Sequence, residues 1–511
     1  MAARGAKNFK SIRVSLFLSV VLISLTGCVV GPDYHTPQIS TPFSWSQKNQ
    51  ITEQPAQLAG WWRQFNDPQL VSLVNDAISG NNDVASAKAK VREARANLWQ
   101  TIGTVLPSLN GTAAMNRSRA NGGSEFSQYR SGFDSSWEID LFGADRRAIE
   151  AAKYGLDASE EELRATMVTL IGDVGSNYVT MRGLQQKLAL AKRTAAAQRK
   201  TAELTRDKFT AGAVSRLDVA NAEGQAASTE ATIPQLEANL SVTIHRLAVL
   251  TGCPPASLDG RLGKTLGPNK IPQPKWPIAS GIPADILLTR PDIRVAERQY
   301  AAATAKVGQK IADFYPKLTL TGNISTSATE VGDLGRNSTL SWSFGPGLSI
   351  PLFNGGQRKA AVEVAEAQRD QSFIAYRAAV LAGLEDVENA LVNLTRERVR
   401  AARLASSAKA YETSLSLSRS LYEAGNTSFL ELLNAERSSF AAEESSIDSR
   451  VAIANDYIAL MKALGGGWDG VIDTRQKEII DRNTGPHILS THSLPSATTT
   501  QSPAIDQSRK F

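Results

Sequence analysis

The sequence predicts a tandem-duplicated α+β membrane protein in which each half supplies two β-strands and two very long helices. Three observations predict this fold: a long-range repeat, two segments in each half that alternate polar and apolar residues, and two long stretches without proline. The repeat is clearest between residues 209–223 and 422–436, where an aromatic residue, Ala-Gly, Leu-acid and Asn-Ala-Glu occur at the same spacing. Other landmarks recur at nearly the same shift, which indicates duplication of a unit of about 210 residues.

The first residues have the order of a lipoprotein signal peptide. An apolar stretch from Val14 to Leu25, too short to span a bilayer as a helix, ends at Gly27-Cys28 and follows the basic residues Arg4, Lys7, Lys10 and Arg13. We expect cleavage before Cys28 and attachment of diacylglycerol and an N-acyl chain such as palmitate to this cysteine. The alternative is an ordinary signal peptide with a chance cysteine. A lipoprotein belongs to a bacterial envelope, and Val29 in place of an aspartate favours the outer membrane.

Composition excludes several classes of protein. Four of the 56 basic residues lie in the leader, which has no acid, so the 50 acidic residues leave the remaining chain at +2 and give no support to a nucleic-acid partner. The two cysteines, Cys28 and Cys253, cannot form a disulfide scaffold if the first is lipidated. The four histidines lack metal-ligand spacing, and no phosphate-binding loop or nucleophile motif is present. We expect no enzyme, no metal site and no cofactor beyond the lipid.

The two alternating segments of each half predict half-buried β-strands. Each pair follows a helix-rich stretch, at about 68–103 and 284–313, and a proline-marked turn. Glycine- and asparagine-rich loops near 121–123 and 332–337 suit hairpin tips. The apolar positions of the four strands are Leu109, Gly111, Ala113 and Met115; Phe133, Trp137, Ile139 and Leu141; Leu318, Leu320, Gly322 and Ile324; and Trp342, Phe344, Leu348 and Ile350.

Two proline-free stretches, 144–208 and 355–423, predict helical rods roughly 100 Å long at about 1.5 Å per residue. Shorter return helices are predicted at about 216–251, where Pro234 should introduce a bend, and at 428–464. Gly212 and Gly425 lie in the intervening turns and suit helix C-caps. The apolar stripes are narrow, which favours helices packed edge to edge in a curtain rather than around a globular core.

The four strands of one chain cannot close a membrane barrel, which needs at least eight strands and no free edge. Either the strands cover something soluble, or several chains share one barrel, and three chains would supply twelve strands. Each strand has about the length that crosses a bilayer when tilted. A barrel in the outer membrane above a helical tube is the simplest assembly.

The chain resembles the outer membrane factor family, the TolC- and OprM-like efflux ducts, and more closely its NodT-like lipoprotein branch. The motifs that carry the resemblance are Gly27–Tyr34, Trp61-Trp62 with Phe65–Leu70, and above all Ile282–Glu297. The resemblance implies a homotrimer with a 12-stranded β-barrel continuous with a 12-helix periplasmic α-barrel. It also implies a passive outer membrane channel that works with a periplasmic adaptor and an inner-membrane pump. Drugs, solvents, lipids, signalling molecules and metals all remain open as cargo.

The resemblance further implies an aperture at the periplasmic tips of the rods, with Gly212 and Gly425 in the turns that dock the adaptor. Asp218 would accept a hydrogen bond from Tyr422. The matching positions are Asp218, Tyr422, Thr427, Leu430, Glu431 and Asn434. Thr427 replaces an arginine of some relatives and Asn434 an aspartate of many, which argues against a salt-bridge lock and lowers the charge of the ring. A simpler role for Asp218 and Glu431 is to begin their helices near the positive end of the helix dipole.

These features divide the chain into six parts. They are a signal peptide (1–27), a lipid-anchored extension (28–60), a first repeat (61–255), a linker (256–282), a second repeat (283–468) and a disordered polar tail (469–511). A competing interpretation is a lipid-anchored periplasmic structural or adaptor protein without a pore. The alternating strands argue against it, and the sequence lacks the small β-domain that such an adaptor would need.

Overall fold

The computed structural model describes residues 29–38, 58–119, 122–263, 271–274, 284–467 and 472–475. The signal peptide with Cys28, the Ile282-Pro283 pair of the family motif and most of the predicted tail lie outside these residues. The described residues as far as Thr474 belong to one unit. No helix in the described ranges is both long and apolar enough to cross a membrane.

The predicted order of elements is confirmed in both halves of the chain. Each rod, α3 and α7, is a continuous helix of 67 residues. Short 3-10 turns lie at Trp61–Phe65, Ala284–Thr289 and Val331–Asp333. Along the chain lie α1 (Pro68–Gly80), α2 (Asn82–Thr104), β1 (Ser108–Arg119), β2 (Glu125–Ile139), α3 (Ala144–Thr210), α4 (Arg216–Leu250), α5 (Asp259–Leu262), α6 (Pro291–Ala312), β3 (Lys317–Ala328), β4 (Leu340–Ser349), α7 (Gln357–Glu423) and α8 (Phe429–Ala463).

The helical stretch before the first hairpin is two helices rather than one, because Asn81 interrupts it. The Asn81 side chain accepts hydrogen bonds from the backbone N–H groups of Asp83 and Val84, at 2.8 and 3.1 Å, and so caps α2. Its amide nitrogen donates to the carbonyl of Leu250 at 2.9 Å. The same residue therefore begins α2 and ties it to the end of α4.

The four strands form one antiparallel sheet in the order β1-β2-β3-β4. The hairpins of the two halves meet along β2 and β3, where Phe133 lies opposite Ile324 and Trp137 opposite Leu320. Pairing of β3 with β4 places Ile324 opposite Trp342. The duplicated halves thus contribute adjacent hairpins to one sheet, and β1 and β4 form its two edges.

The main core lies where the rods pass the shorter helices. Trp61, Trp62 and Phe65 of the first 3-10 turn are buried there beside Tyr178 of α3 and Tyr457 of α8. Each rod packs on its own return helix, and α3 also packs on α8, which joins the two helical hairpins. A second, smaller cluster lies near the rod ends and contains Ala202, Ala222, Tyr422, Phe429, Leu432 and Leu433. Pro234 lies inside α4, which continues on both sides of it.

The segment that follows Cys28 is fixed at the junction of the sheet and the rods. The N–H of Val30 donates to the carbonyl of Phe142 at 3.1 Å. Arg147, almost fully buried, forms an ion pair of 2.7 Å with Asp33. The Tyr34 hydroxyl donates to Glu297 at 2.5 Å. These bonds hold the start of the described chain against the base of the sheet.

Candidate membrane wall and tip aperture

The sheet has one apolar and one polar face, and the apolar face is exposed in the single chain. Trp342 is 75% exposed and Phe344 69% exposed, although both are large and apolar. The strand register places on this face Leu109, Met115, Phe133, Trp137, Ile324, Leu340, Trp342, Phe344 and Leu348. An exposed apolar face of this extent marks contact with lipid or another apolar surface.

The opposite face of the sheet carries hydroxyl, amide and carboxylate groups that bond to one another. Asp134 accepts a hydrogen bond from Thr112 at 3.1 Å and another from the amide of Asn323 on the neighbouring hairpin. Ser325 and Ser341 lie 3.2 Å apart, oxygen to oxygen. This face suits water, so the sheet has the two-sided chemistry of the wall of an aqueous pore in a membrane.

The two turns between rod and return helix have the same geometry. Gly212 and Gly425 adopt φ angles of 74° and 80°, a region that suits glycine and strains other residues. Two backbone hydrogen bonds close each helix end. In the first turn the N–H of Gly212 donates to the carbonyl of Phe209, and the N–H of Ala213 donates to the carbonyl of Lys208. The C-cap residues themselves are Ala211 and Ala424, and each predicted glycine follows its C-cap and ends the helix in the left-handed conformation.

Tyr422 is buried between the two helical hairpins just before the second turn. Its hydroxyl lies 2.9 Å from Thr205 on α3. Because the Thr205 hydroxyl donates to the carbonyl of Thr201 at 2.7 Å, Tyr422 is the donor in this pair. Lys208 places its ammonium 4.5 Å from the centre of the Tyr422 ring and also donates to the Tyr422 carbonyl. These contacts fasten the end of α7 to the end of α3.

Asp218 is the third residue of α4 and caps that helix. Its carboxylate accepts hydrogen bonds from the N–H and the hydroxyl of Ser215, at 3.0 and 2.8 Å, and its N–H donates to the Ser215 hydroxyl. Burial raises the pKa of Tyr422, and the nearby charge of Asp218 raises it further. The Tyr422 hydroxyl bonds to Thr205 and the Asp218 carboxylate bonds to Ser215, rather than to each other. The helix-start role is confirmed, and a gating role for Asp218 stays a prediction.

The other predicted aperture residues lie at the start of α8. Ser428 caps the helix, and its hydroxyl accepts from the N–H of Glu431 at 3.4 Å. The Thr427 hydroxyl donates to the Glu431 carboxylate. Leu430 is 60% exposed and Asn434 is also exposed. Glu431 thus lies in the first turn of its helix as expected, while the side chains of Leu430 and Asn434 are exposed on the surface of the chain.

Comparison with known proteins explains this combination of a two-faced sheet and long rods. The model of the outer membrane efflux protein family matches residues 73–253 and 282–466, which is more than half of the chain. The chain belongs to the outer membrane efflux protein family. It is 37% identical over 453 residues to nodulation protein T of Rhizobium leguminosarum bv. trifolii, covering 88% of this chain and 96% of the relative.

A second relative and two solved structures extend the comparison. The cation efflux system protein CusC of Escherichia coli K12 is 31% identical over 458 residues, covering 88% of this chain and 98% of the relative. The outer-membrane channel OprN superposes with a TM-score of 0.79 at 32% identity, covering 86% of this chain and all of that chain. A CusC crystal structure superposes at 0.78 and 29% identity with the same coverage. The predicted family resemblance is confirmed.

This member of the efflux family is therefore an outer membrane channel component of an efflux system. The α+β fold predicted from the duplicated sequence, with its four strands and very long helices, is confirmed, as is the outer membrane location. The relatives are named as channels and efflux proteins rather than enzymes. Among the described residues, no cluster of three His, Cys, Asp or Glu side chains could hold a metal ion.

One buried charged group near the predicted aperture residues was not expected from the sequence. Glu436 on α8 is only 4% exposed and accepts hydrogen bonds from Thr201 at 3.1 Å and Arg419 at 3.3 Å. Burial raises the pKa of Glu436. The hydrogen bonds from Thr201 and Arg419, together with the positive charge of Arg419, partly offset this rise in the pKa. The repeated Asn-Ala-Glu motif was the available signal, but its first copy, Glu223, is half exposed and pairs with Arg206.

Proposed function

We propose that three copies of this chain close one β-barrel of twelve strands, which continues into a tube of twelve helical rods and return helices. The observation that carries the proposal is the two-faced sheet with β1 and β4 at its edges. Free edges are not tolerated in lipid, so these strands need partners, and β4 of one copy can pair with β1 of the next. The polar face then lines the pore, and the exposed apolar face meets lipid.

The closed end of the tube lies at the turns that contain Gly212 and Gly425. Tyr422 and its contacts with Thr205 and Lys208 hold the second hairpin against the first. In this proposal a periplasmic adaptor and an inner-membrane pump dock at these turns and draw the hairpins apart. Three copies of Leu430 and Glu431 surround the axis there, with Asp218, Thr427 and Asn434 beside them, and form an apolar and acidic constriction that favours cations over anions.

Lipid on Cys28 anchors each copy beside the barrel. The position of Val29 supports this role, because a side chain added at Gly143, where the sheet meets α3, would approach the Cα of Val29 to 3.0 Å. Acyl chains on the preceding residue would therefore start near the base of the apolar face. Each buried methylene contributes about 0.8 kcal/mol to membrane binding, so several chains per trimer add firmly to the hold of the barrel itself.

Disulfide cross-linking between sheet edges tests the trimer. Variants of the Cys253→Ser protein carry one cysteine in β1 and one in β4 of the same chain, and each variant is oxidised and analysed by denaturing electrophoresis. Within one chain these edges are about 14 Å apart, since three strand spacings separate them, whereas a disulfide needs Cα atoms about 6 Å apart. Every cross-link is therefore between chains.

The pattern of bands decides the outcome. We expect at least one β1–β4 pair to give bands of two and three chain masses and none beyond three. A ladder that continues past three chains would indicate an open sheet. Monomer bands from every pair would contradict closure and would favour an anchored protein without a pore.

A further inference from the structure

The contact between the two helical hairpins contains a hollow, which we call the seam pocket. It lies between α3, α7 and α8, has a volume of about 530 Å³ and is lined in part by Gln198, Glu436 and Ser439. A second hollow of about 420 Å³ shares Arg193, Ala197, Arg419 and Glu423 with it and reaches Tyr422. Pockets of this size accommodate small organic ligands.

Two buried polar side chains in the seam pocket have no partner among the described residues. Gln198 is 2% exposed, and neither its amide oxygen nor its amide nitrogen is hydrogen-bonded. Ser439 is 1% exposed, and its hydroxyl is likewise unpaired. The repeat-related position of Ser439 in the first half is Ala226, which is fully buried, so packing at this position does not require a hydroxyl. Because an unpaired buried polar group is costly, both side chains are suited to bind a ligand.

The charged side chains that line the seam pocket determine the sign of the charge expected of that ligand. Each guanidinium is already paired with a carboxylate, Arg193 with Glu443 at 2.5 Å and Arg419 with Glu436 at 3.3 Å. The carboxylates of Glu412 and Glu423 also line the pocket, and they form no ion pair with any described residue. The charged lining residues are Arg193, Arg419, Glu412, Glu423, Glu436 and Glu443. The seam pocket therefore has an excess of two negative charges, and Lys200, which lines only the second hollow, reduces the excess over both hollows to one; the balance favours a cation.

The chemistry of the lining favours an organic cation over a metal ion. The described carboxylates do not converge as a metal-binding cluster, and no cysteine or histidine lines the pocket. Separate carboxylates with an amide and a hydroxyl between them match several N–H donors along a chain. We propose that the seam pocket binds a small organic cation with two or more ammonium or guanidinium groups, such as a linear polyamine.

A bound cation of this kind joins the hairpins near the aperture. Glu423 follows Tyr422 directly, and Glu412 lies three turns earlier on α7, so one extended cation can contact both carboxylates. Gln198 on α3, in the first hairpin, and Ser439 on α8, in the second, contact the same ligand. Binding therefore stabilises the packed arrangement of the hairpins by mass action. Binding of the cation does not depend on the proposed channel function.

Spermidine binding to the purified full-length protein tests the proposal. Binding is measured by equilibrium dialysis with labelled spermidine, and the thermal unfolding midpoint is followed in parallel. We expect saturable binding and a rising midpoint, whereas magnesium chloride at equal ionic strength has no such effect. The double variant Glu412→Gln, Glu423→Gln should bind about tenfold more weakly, since each exposed ion pair contributes a factor of about two to five.

Two further variants separate binding from folding. Ser439→Ala, which copies the residue of the first repeat, should keep the fold and weaken spermidine binding about fivefold through loss of one hydrogen bond. Glu223, the first-repeat counterpart of Glu436, is half exposed and does not line the seam pocket, so Glu223→Gln should bind spermidine as the unaltered protein does. Equal binding by all variants, an equal response to magnesium, or no saturable binding would overturn the proposal.

Discussion

Replacing Phe344 by lysine should destabilise the membrane-inserted protein far more than the same change at the next residue. Phe344 lies in the middle of β4, on the apolar face, and is 69% exposed in the single chain. Loss of its contact with lipid costs about 2 kcal/mol. A lysine near the middle of the bilayer costs about 2 to 4 kcal/mol more. We therefore expect a loss of about 5 kcal/mol per chain.

Ser343→Lys is the matched control, because Ser343 precedes Phe344 and lies on the polar face of β4. A lysine there faces water, so the free energy of unfolding should change by less than about 1 kcal/mol. The assay is guanidinium-induced unfolding of the protein in phospholipid vesicles, followed by tryptophan fluorescence. Equal destabilisation by the two variants, or a larger effect at Ser343, would refute the assignment of the two faces.

Three other substitutions test the helices. Gly425→Ala should reduce the free energy of unfolding by about 1 kcal/mol, because its φ of 80° strains alanine, whereas Gly332→Ala, at an open position, should leave it unchanged in the same titration. Arg290→Met should cost about 2 to 3 kcal/mol, because the buried guanidinium bonds Asp292 and the Ala463 carbonyl at 2.7 Å each, and thermal unfolding would detect this. The pKa of Glu436 is raised by burial, so the stability that it contributes is complete below the ordinary glutamate pKa of 4.5 and is lost as pH rises through the folded pKa. Glu436→Gln should therefore remove a fall in stability above pH 4.5, and identical pH profiles would contradict this.

The rods, turns and strands could be predicted from the sequence because their signals are local. Alternation marks each strand, and its apolar residues also fix the face on which Trp342 and Phe344 lie. Glycines at the same place in both repeats mark the ends of the rods, and the absence of proline allows helices of 67 residues. Three-residue spacing of Ser215 and Asp218, and of Ser428 and Glu431, carries the capping signal.

The contacts between the hairpins could not be predicted, because corresponding residues of similar local sequence have different neighbours in the two repeats. Phe209 and Tyr422 occupy matching positions, yet Phe209 is 42% exposed and Tyr422 is 2% exposed. Tyr422 is buried because the end of α3, with Thr205 and Lys208, packs against it. Glu223 and Glu436 differ for the same reason. Such burial depends on long-range packing of helices, which the periodicity of one helix does not report.

Single-channel conductance of the purified protein in planar bilayers tests the central claim most directly. The unaltered protein is compared with the double variant Asp218→Ala, Tyr422→Phe, which removes the α4 cap and the hydrogen bond to Thr205. We expect small, cation-preferring openings from the unaltered protein and larger openings from the variant. Absence of conductance from both, together with a monomeric mass, would contradict a channel closed at its periplasmic tip.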